Sequence, residues 1–176
     1  GLVLLGPPGL GKTLALSAIV NAACAKIHGP VYATWPELLA DLKAGFGGER
    51  DDPRRQAVER LRTCPLLALD ELGVKAASEF DHSELFGLID YRYRNRLPTL
   101  AAANCTRDNF ARLVGERVAD RLREQGPMIV LAGESLRGRA AIEGGDAFPR
   151  PREQVTLKVH AVGEWRERRI EAPNPW

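Results

Sequence analysis

The chain has 176 residues, 44% of them hydrophobic, 27% charged and 6% aromatic, with a formal net charge of +2. These fractions fit one ordinary globular domain and exclude wholesale disorder, collagen and, with no run of ~18 apolar residues, a membrane-spanning class. Cys24, Cys64 and Cys105 are an odd set without a CxxC pair, which argues against a disulfide framework or zinc knuckle and fits a reducing, cytoplasmic setting.

The elements follow in chain order. Gly1 stands inside an apolar run, so the chain looks cut from something longer. Leu2–Leu5 reads as a buried strand and Gly6–Gly11 as a Gly/Pro loop. Leu16, Ile19, Val20, Ala23 and Ile27 recur with helical spacing, and His28-Gly29-Pro30 stops that helix. Val31–Thr34 is a strand; Trp35-Pro36 opens a helix to about residue 44, and a short helix ends near Arg62. Leu66–Leu69 is an apolar strand ending in Asp70 and Glu71. Glu79–Arg96 is helical until Pro98 breaks it. Thr99–Ala103 is a strand, two short helices run through Glu124, and Met128–Ala132 is a further apolar run. Strands too apolar for a wet face, alternating with helices, predict an α/β fold with a parallel sheet sandwiched between helices. Residues 140–153 read as linker, and alternation at Val155, Leu157, Val159 and Ala161 predicts a late strand or a hairpin with 164–171.

Gly6-Pro7-Pro8-Gly9-Leu10-Gly11-Lys12-Thr13 fits G-x-x-x-x-G-K-[ST] between a strand and an amphipathic helix. Glycines let successive N–H groups turn toward phosphate, and the helix N-terminus adds donors. With Leu14, this segment is the expected ATP-binding loop. Lys12 would neutralise the β- and γ-phosphates, and Thr13 would ligate Mg²⁺. Ligands in open α/β sheets lie outside the carboxyl ends of the strands. Asp70 is therefore expected at the Mg²⁺ shell, and Glu71 is expected to polarise an attacking water or else to be a helix-capping or surface acid. The paired acids favour hydrolysis over phosphoryl transfer.

Gly6–Thr13, Leu66–Gly73 and Asn104 together resemble a AAA+ ATPase. Leu113–Leu122, containing Gly-Glu-Arg-Val-Ala-Asp-Arg, and Gly133–Arg139 closely resemble the DnaC-like bacterial helicase loaders. The related IstB transposition ATPases are similar at Gly133-Glu134-Ser135 and in Glu84–Tyr93. The resemblance covers residues 1–139. It implies an N-terminally truncated AAA+ core there, followed by a linker and C-terminal extension over 140–176. Carried over by position, Asn104 would orient the hydrolytic water, unless it merely initiates a loop. Arg121 would be an arginine finger acting in trans on a neighbouring subunit, unless it pairs with a nearby acid. Arg137 would be the sensor-2 arginine, with Arg139 as its rival. On a helix from Glu116, Val118 and Leu122 share a buried face, Arg117 and Arg121 share the adjacent face, and Arg123 falls on the other side.

The loaders contact single-stranded DNA near two segments, matched here by Lys43 with Phe46 and by Ser78 with Phe80. A cation for phosphate and a ring for stacking suit sequence-tolerant binding, while core packing of both rings is the alternative. Residues 92–140 hold ten basic residues, all arginine, against five acids. These arginines either serve phosphate chemistry or form a solvated face. The resemblance thus implies an ATP- and Mg²⁺-dependent helicase loader that binds single-stranded DNA, with a replicative helicase engaged through a missing N-terminal region. An IstB-like transposition helper is the alternative, followed by a nucleotide-gated scaffold or a small-molecule kinase.

Overall fold

The computed structural model describes residues 1–44, 53–73, 78–136, 155–161 and 164–170. Five strands, β1 (Leu2–Leu5), β2 (Val31–Thr34), β3 (Leu67–Leu72), β4 (Thr99–Ala103) and β5 (Met128–Leu131), pair in parallel in the order β2-β3-β4-β1-β5. The helices between them are α1 (Lys12–Cys24), α2 (Trp35–Ala44), α3 (Pro53–Thr63), α4 (Glu79–Arg94), α5 (Arg107–Val114) and α6 (Glu116–Gln125). Strands β6 (Val155–Ala161) and β7 (Glu164–Ile170) form an antiparallel hairpin that joins the sheet along β5.

Side chains alternate across each strand, so the sheet buries two separate clusters. Leu4, Leu66, Ala68, Leu100 and Ala102 pack with Leu16 and Val20 of α1. Val3, Leu5, Leu67, Leu69, Ala101 and Ala103 face the other way, onto residues of α2 to α6 such as Leu38, Leu88, Phe110, Val118 and Leu122. Both faces are dry, which is why the strands read as unbroken apolar runs.

Three boundaries differ from the sequence reading. Helix α1 ends at Cys24, short of Ile27, although Ile27 still packs against the α1-side cluster. Helix α4 ends at Arg94; Arg96 lies at φ 54°, a left-handed conformation that no helix continues. Strand β3 runs through the two carboxylates to Leu72 instead of stopping before them. It does so through a bulge. Leu69 pairs with Ala101 and Leu72 with Ala103, leaving Asp70 and Glu71 together opposite one residue. Glu71 takes φ 58° at that point. The extra residue returns Leu72 to the same buried cluster as Leu69 and leaves Glu71 exposed.

Helix α4 starts at a capping box: the Asp81 N–H donates to Ser78 Oγ at 3.2 Å, and the Ser78 N–H donates to Asp81 Oδ2 at 3.2 Å. Its far end is fixed by Arg92, which is fully buried. The guanidinium donates to the carbonyls of Leu61, Arg62 and Cys64 at the end of α3, to the Pro98 carbonyl and to Thr99 Oγ1. One side chain thus ties α3, α4 and the entry to β4.

Candidate functional site

β1 lies between β4 and β5, so the chain leaves the sheet centre toward β2 and later returns on the other side. The crevice at the carboxyl end of such a switch point is where open α/β sheets hold ligands. A cleft of about 450 Å³ opens there, lined by Gly9, Lys12, Thr13, Asp70, Glu71 and Asn104 among others. Pro8, Gly11, Leu14, Ser17 and Leu136 complete its wall.

The loop's curl depends on its glycines. A Cβ on Gly6 (φ 136°) would stand 2.3 Å from the Leu131 carbonyl oxygen, and one on Gly9 (φ 86°) would stand 2.1 Å from Ser135 Oγ. The segment after β5 approaches this closely because the Leu136 N–H donates to the Gly9 carbonyl at 2.9 Å. Lys12 is almost fully buried, and its Nζ donates to the carbonyls of Gly6 (2.8 Å) and Pro7 (2.7 Å). The loop is therefore closed around its own ammonium at the N-terminus of α1, where free backbone donors and the helix dipole favour an anion.

Asp70 is 3% exposed. Its Oδ2 accepts the Thr13 hydroxyl at 2.7 Å and the Tyr32 hydroxyl at 2.8 Å, while its Oδ1 accepts the Glu71 N–H at 2.8 Å. Burial, the hydrogen bond to Asp70 and the charges of Asp70, Glu71 and Glu37 all push the Tyr32 phenol above its ordinary pKa. It therefore stays a donor at neutral pH. The Thr13 hydroxyl and the Asp70 carboxylate form a hard-oxygen pair that fits Mg²⁺. Glu71, turned out by the bulge, and Asn104, just beyond β4, reach the same cleft.

The remaining expected residues stand elsewhere. Val118 and Leu122 are buried as the helix reading predicts. Arg117 stacks on the Phe86 ring at 3.8 Å. Arg121 lies over the Tyr93 ring at 4.4 Å and pairs with Asp90 Oδ1 at 3.3 Å, so within one chain it makes the acid pair that was its alternative reading. Asp90 also pairs with Arg94. Arg123 pairs with Asp120. Arg137, Arg139 and Phe46 lie outside the described residues. Lys43, Ser78 and Phe80 do converge: Lys43 Nζ is 5.9 Å from the Phe80 ring centroid and 2.9 Å from Asp81 Oδ1. The hydrogen bond from Lys43 is the largest influence holding the Asp81 carboxyl below its usual range, and Ser78 acts in the same direction. Sequence reasoning missed Tyr32, which reads as one more apolar residue of a short strand. It also missed Ser17, one turn beyond Thr13 on α1.

The sheet order, the phosphate loop and the paired acids at the end of β3 define a P-loop protein of the AAA+ class. A family model of IstB-like ATP binding proteins matches residues 1–143, and the chain belongs to that ATP-binding family. It is similar to the replicative helicase loader DnaI of Bacillus subtilis, at 29% identity over 111 residues, covering 62% of this chain and 35% of that protein. It is likewise similar to the replicative helicase loader DnaC of Escherichia coli K12, at 27% identity over 121 residues, covering 69% and 49%. The chain thus spans half or less of the length of these curated relatives. Among solved structures, a DnaC helicase loader superposes with a TM-score of 0.65 at 27% identity, covering 74% of this chain and 77% of that one. AMPPCP-bound DnaA from Aquifex aeolicus shares the fold, with a TM-score of 0.59 at 17% identity. Among the described residues, no helix is long and apolar enough to cross a membrane.

Proposed function

We propose that the chain is the ATP-hydrolysing core of a helicase-loader-like protein. The observation that carries this reading is the convergence of Lys12, Thr13, Asp70, Glu71 and Asn104 on one cleft. Lys12 and the loop amides bind the phosphates, and Thr13 and Asp70 hold Mg²⁺, which supplies neutralisation of phosphate charge when bound. Glu71 accepts a proton from the attacking water, and Asn104 orients that water. Arg121 acts in trans on a neighbouring subunit's nucleotide; its absence from the lining of its own chain's cleft supports this. Arg137 acts as the sensor-2 arginine of the same chain.

Single-stranded DNA passes over Lys43, Phe46, Ser78 and Phe80. The half-buried Phe80 ring beside the exposed Lys43 ammonium supports this path. The Gly115–Arg121 motif and the loader relatives favour a replicative helicase as partner. The IstB-like family match keeps a transposition helper as the second reading. A helper would prefer duplex DNA.

The test is ATP turnover with no DNA, with a single-stranded oligonucleotide and with its duplex. Single-strand stimulation that is lost in Phe80→Ala, with an unchanged thermal transition, is expected. Duplex-only stimulation would move the assignment to the transposition helper. No turnover under any condition would leave an ATP-binding scaffold.

A further inference from the structure

We infer that Tyr32 is a positioning residue for the divalent cation, acting through Asp70. The inference rests on the nucleotide-site reading above, though not on hydrolysis. Two hydroxyls converge on one carboxylate oxygen: Tyr32 Oη at 2.8 Å and Thr13 Oγ1 at 2.7 Å from Asp70 Oδ2. The third contact, from the Glu71 N–H, holds Oδ1. Three donors from β2, α1 and the β3 bulge therefore fix the carboxylate plane.

Tyr32 is built for this place. It lies on β2 opposite Ala68, two residues before Asp70 on the neighbouring strand. Its side chain is partly buried against the α1-side cluster that holds Leu16, Val20 and Ala68, so the ring is anchored in apolar packing while its hydroxyl reaches the polar end of the sheet.

The consequence concerns Thr13. A serine or threonine hydroxyl has one proton and two lone pairs. Thr13 spends its proton on Asp70, which turns its lone pairs toward the cleft, where a hard cation accepts them. Tyr32 holds the acceptor of that proton in place. Without the phenol, Asp70 Oδ2 is tethered by Thr13 alone, and the pair loses its shared geometry. Groups that orient metal-binding side chains from behind commonly change metal affinity by roughly 10–100-fold when removed.

The test compares wild type with Tyr32→Phe, which keeps the ring and removes only the hydroxyl. A fluorescent non-hydrolysable ATP analogue is titrated without Mg²⁺, and then Mg²⁺ is titrated at fixed analogue. Metal-free affinity is expected to stay within about twofold, because the loop amides and Lys12 are untouched. The Mg²⁺ midpoint is expected to rise roughly tenfold. A merely structural role would lower the thermal transition without separating these two affinities. An unmoved Mg²⁺ midpoint with retained analogue binding overturns this inference alone. Absence of analogue binding in wild type overturns the nucleotide site itself and the inference with it. A chain that binds Mg²⁺ and analogue but never hydrolyses ATP overturns the proposed catalysis and leaves this inference standing.

Discussion

Glu71 sits where a glycine would be more comfortable. At φ 58° its Cβ crowds the backbone, at a cost on the order of 1–2 kcal/mol. The bulge that imposes this conformation also aims the carboxylate into the cleft and sends Leu72 back to the core. Strain held at a reactive position is a common feature of functional sites. Glu71→Gly is therefore expected to raise stability by about 0.5–1 kcal/mol in a denaturant titration while lowering turnover roughly 10²–10⁴-fold. Equal stability with unchanged turnover would show that neither the strain nor the base role is real. The acidic pair was legible in the sequence because it ended an apolar strand. The bulge was not, since Glu carries no preference for a left-handed backbone. Tyr32 was hidden for a related reason: one hydroxyl on a four-residue strand gives no pattern, and only the pairing of β2 with β3 brings it to Asp70.

At the level of elements, Arg92 shows how an arginine-rich stretch can be read wrongly as surface. Its guanidinium donates to four carbonyls, the Thr99 hydroxyl and the Cys64 sulfur. Burial pushes its pKa below the ordinary arginine value, although the Cys64 side chain favours the charged form. Replacing it by Met leaves several buried acceptors unmet, each costing about 1–3 kcal/mol. Arg92→Met is expected to lose about 3 kcal/mol or more of unfolding free energy while keeping ATP binding below its transition, because no Arg92 atom lines the cleft. A loss below about 0.5 kcal/mol would show that water replaces the guanidinium. Most elements were legible from periodicity and from apolar runs, since both faces of the sheet are dry. The ends of α1, α4 and β3 were not, because local pattern carries no information on where tertiary contacts stop a helix or bend a strand.

Across the whole molecule, the charge arithmetic acquires a different meaning. Residues 92–140 carry the basic excess, and five of those arginines are engaged within the chain. Arg92 is buried, Arg94 and Arg121 share Asp90, Arg117 lies on Phe86 and Arg123 pairs with Asp120. Arg94, Arg117 and Arg123 remain exposed while making these contacts, whereas Arg92 is wholly inside. The group around Asp90 sits on α4 and α6, away from the cleft of its own chain. On the proposed reading, Arg121 would serve the nucleotide of a second subunit. The hairpin of β6 and β7 was legible as alternation, but its antiparallel pairing to β5 was not. Sheet order depends on neighbours that alternation does not name.

On the proposed reading, Glu71 and Arg121 belong to one composite site made by two subunits. Mixing Glu71→Gln with Arg121→Ala tests it most directly, by ATP turnover of each variant alone and of the mixture at the same total concentration. Each variant alone is expected to fall by at least about 10²–10³-fold, and the mixture to recover a substantial part of wild-type turnover, because Arg121 of one variant meets Glu71 of the other. Full activity of Arg121→Ala alone, or no recovery on mixing, would contradict it.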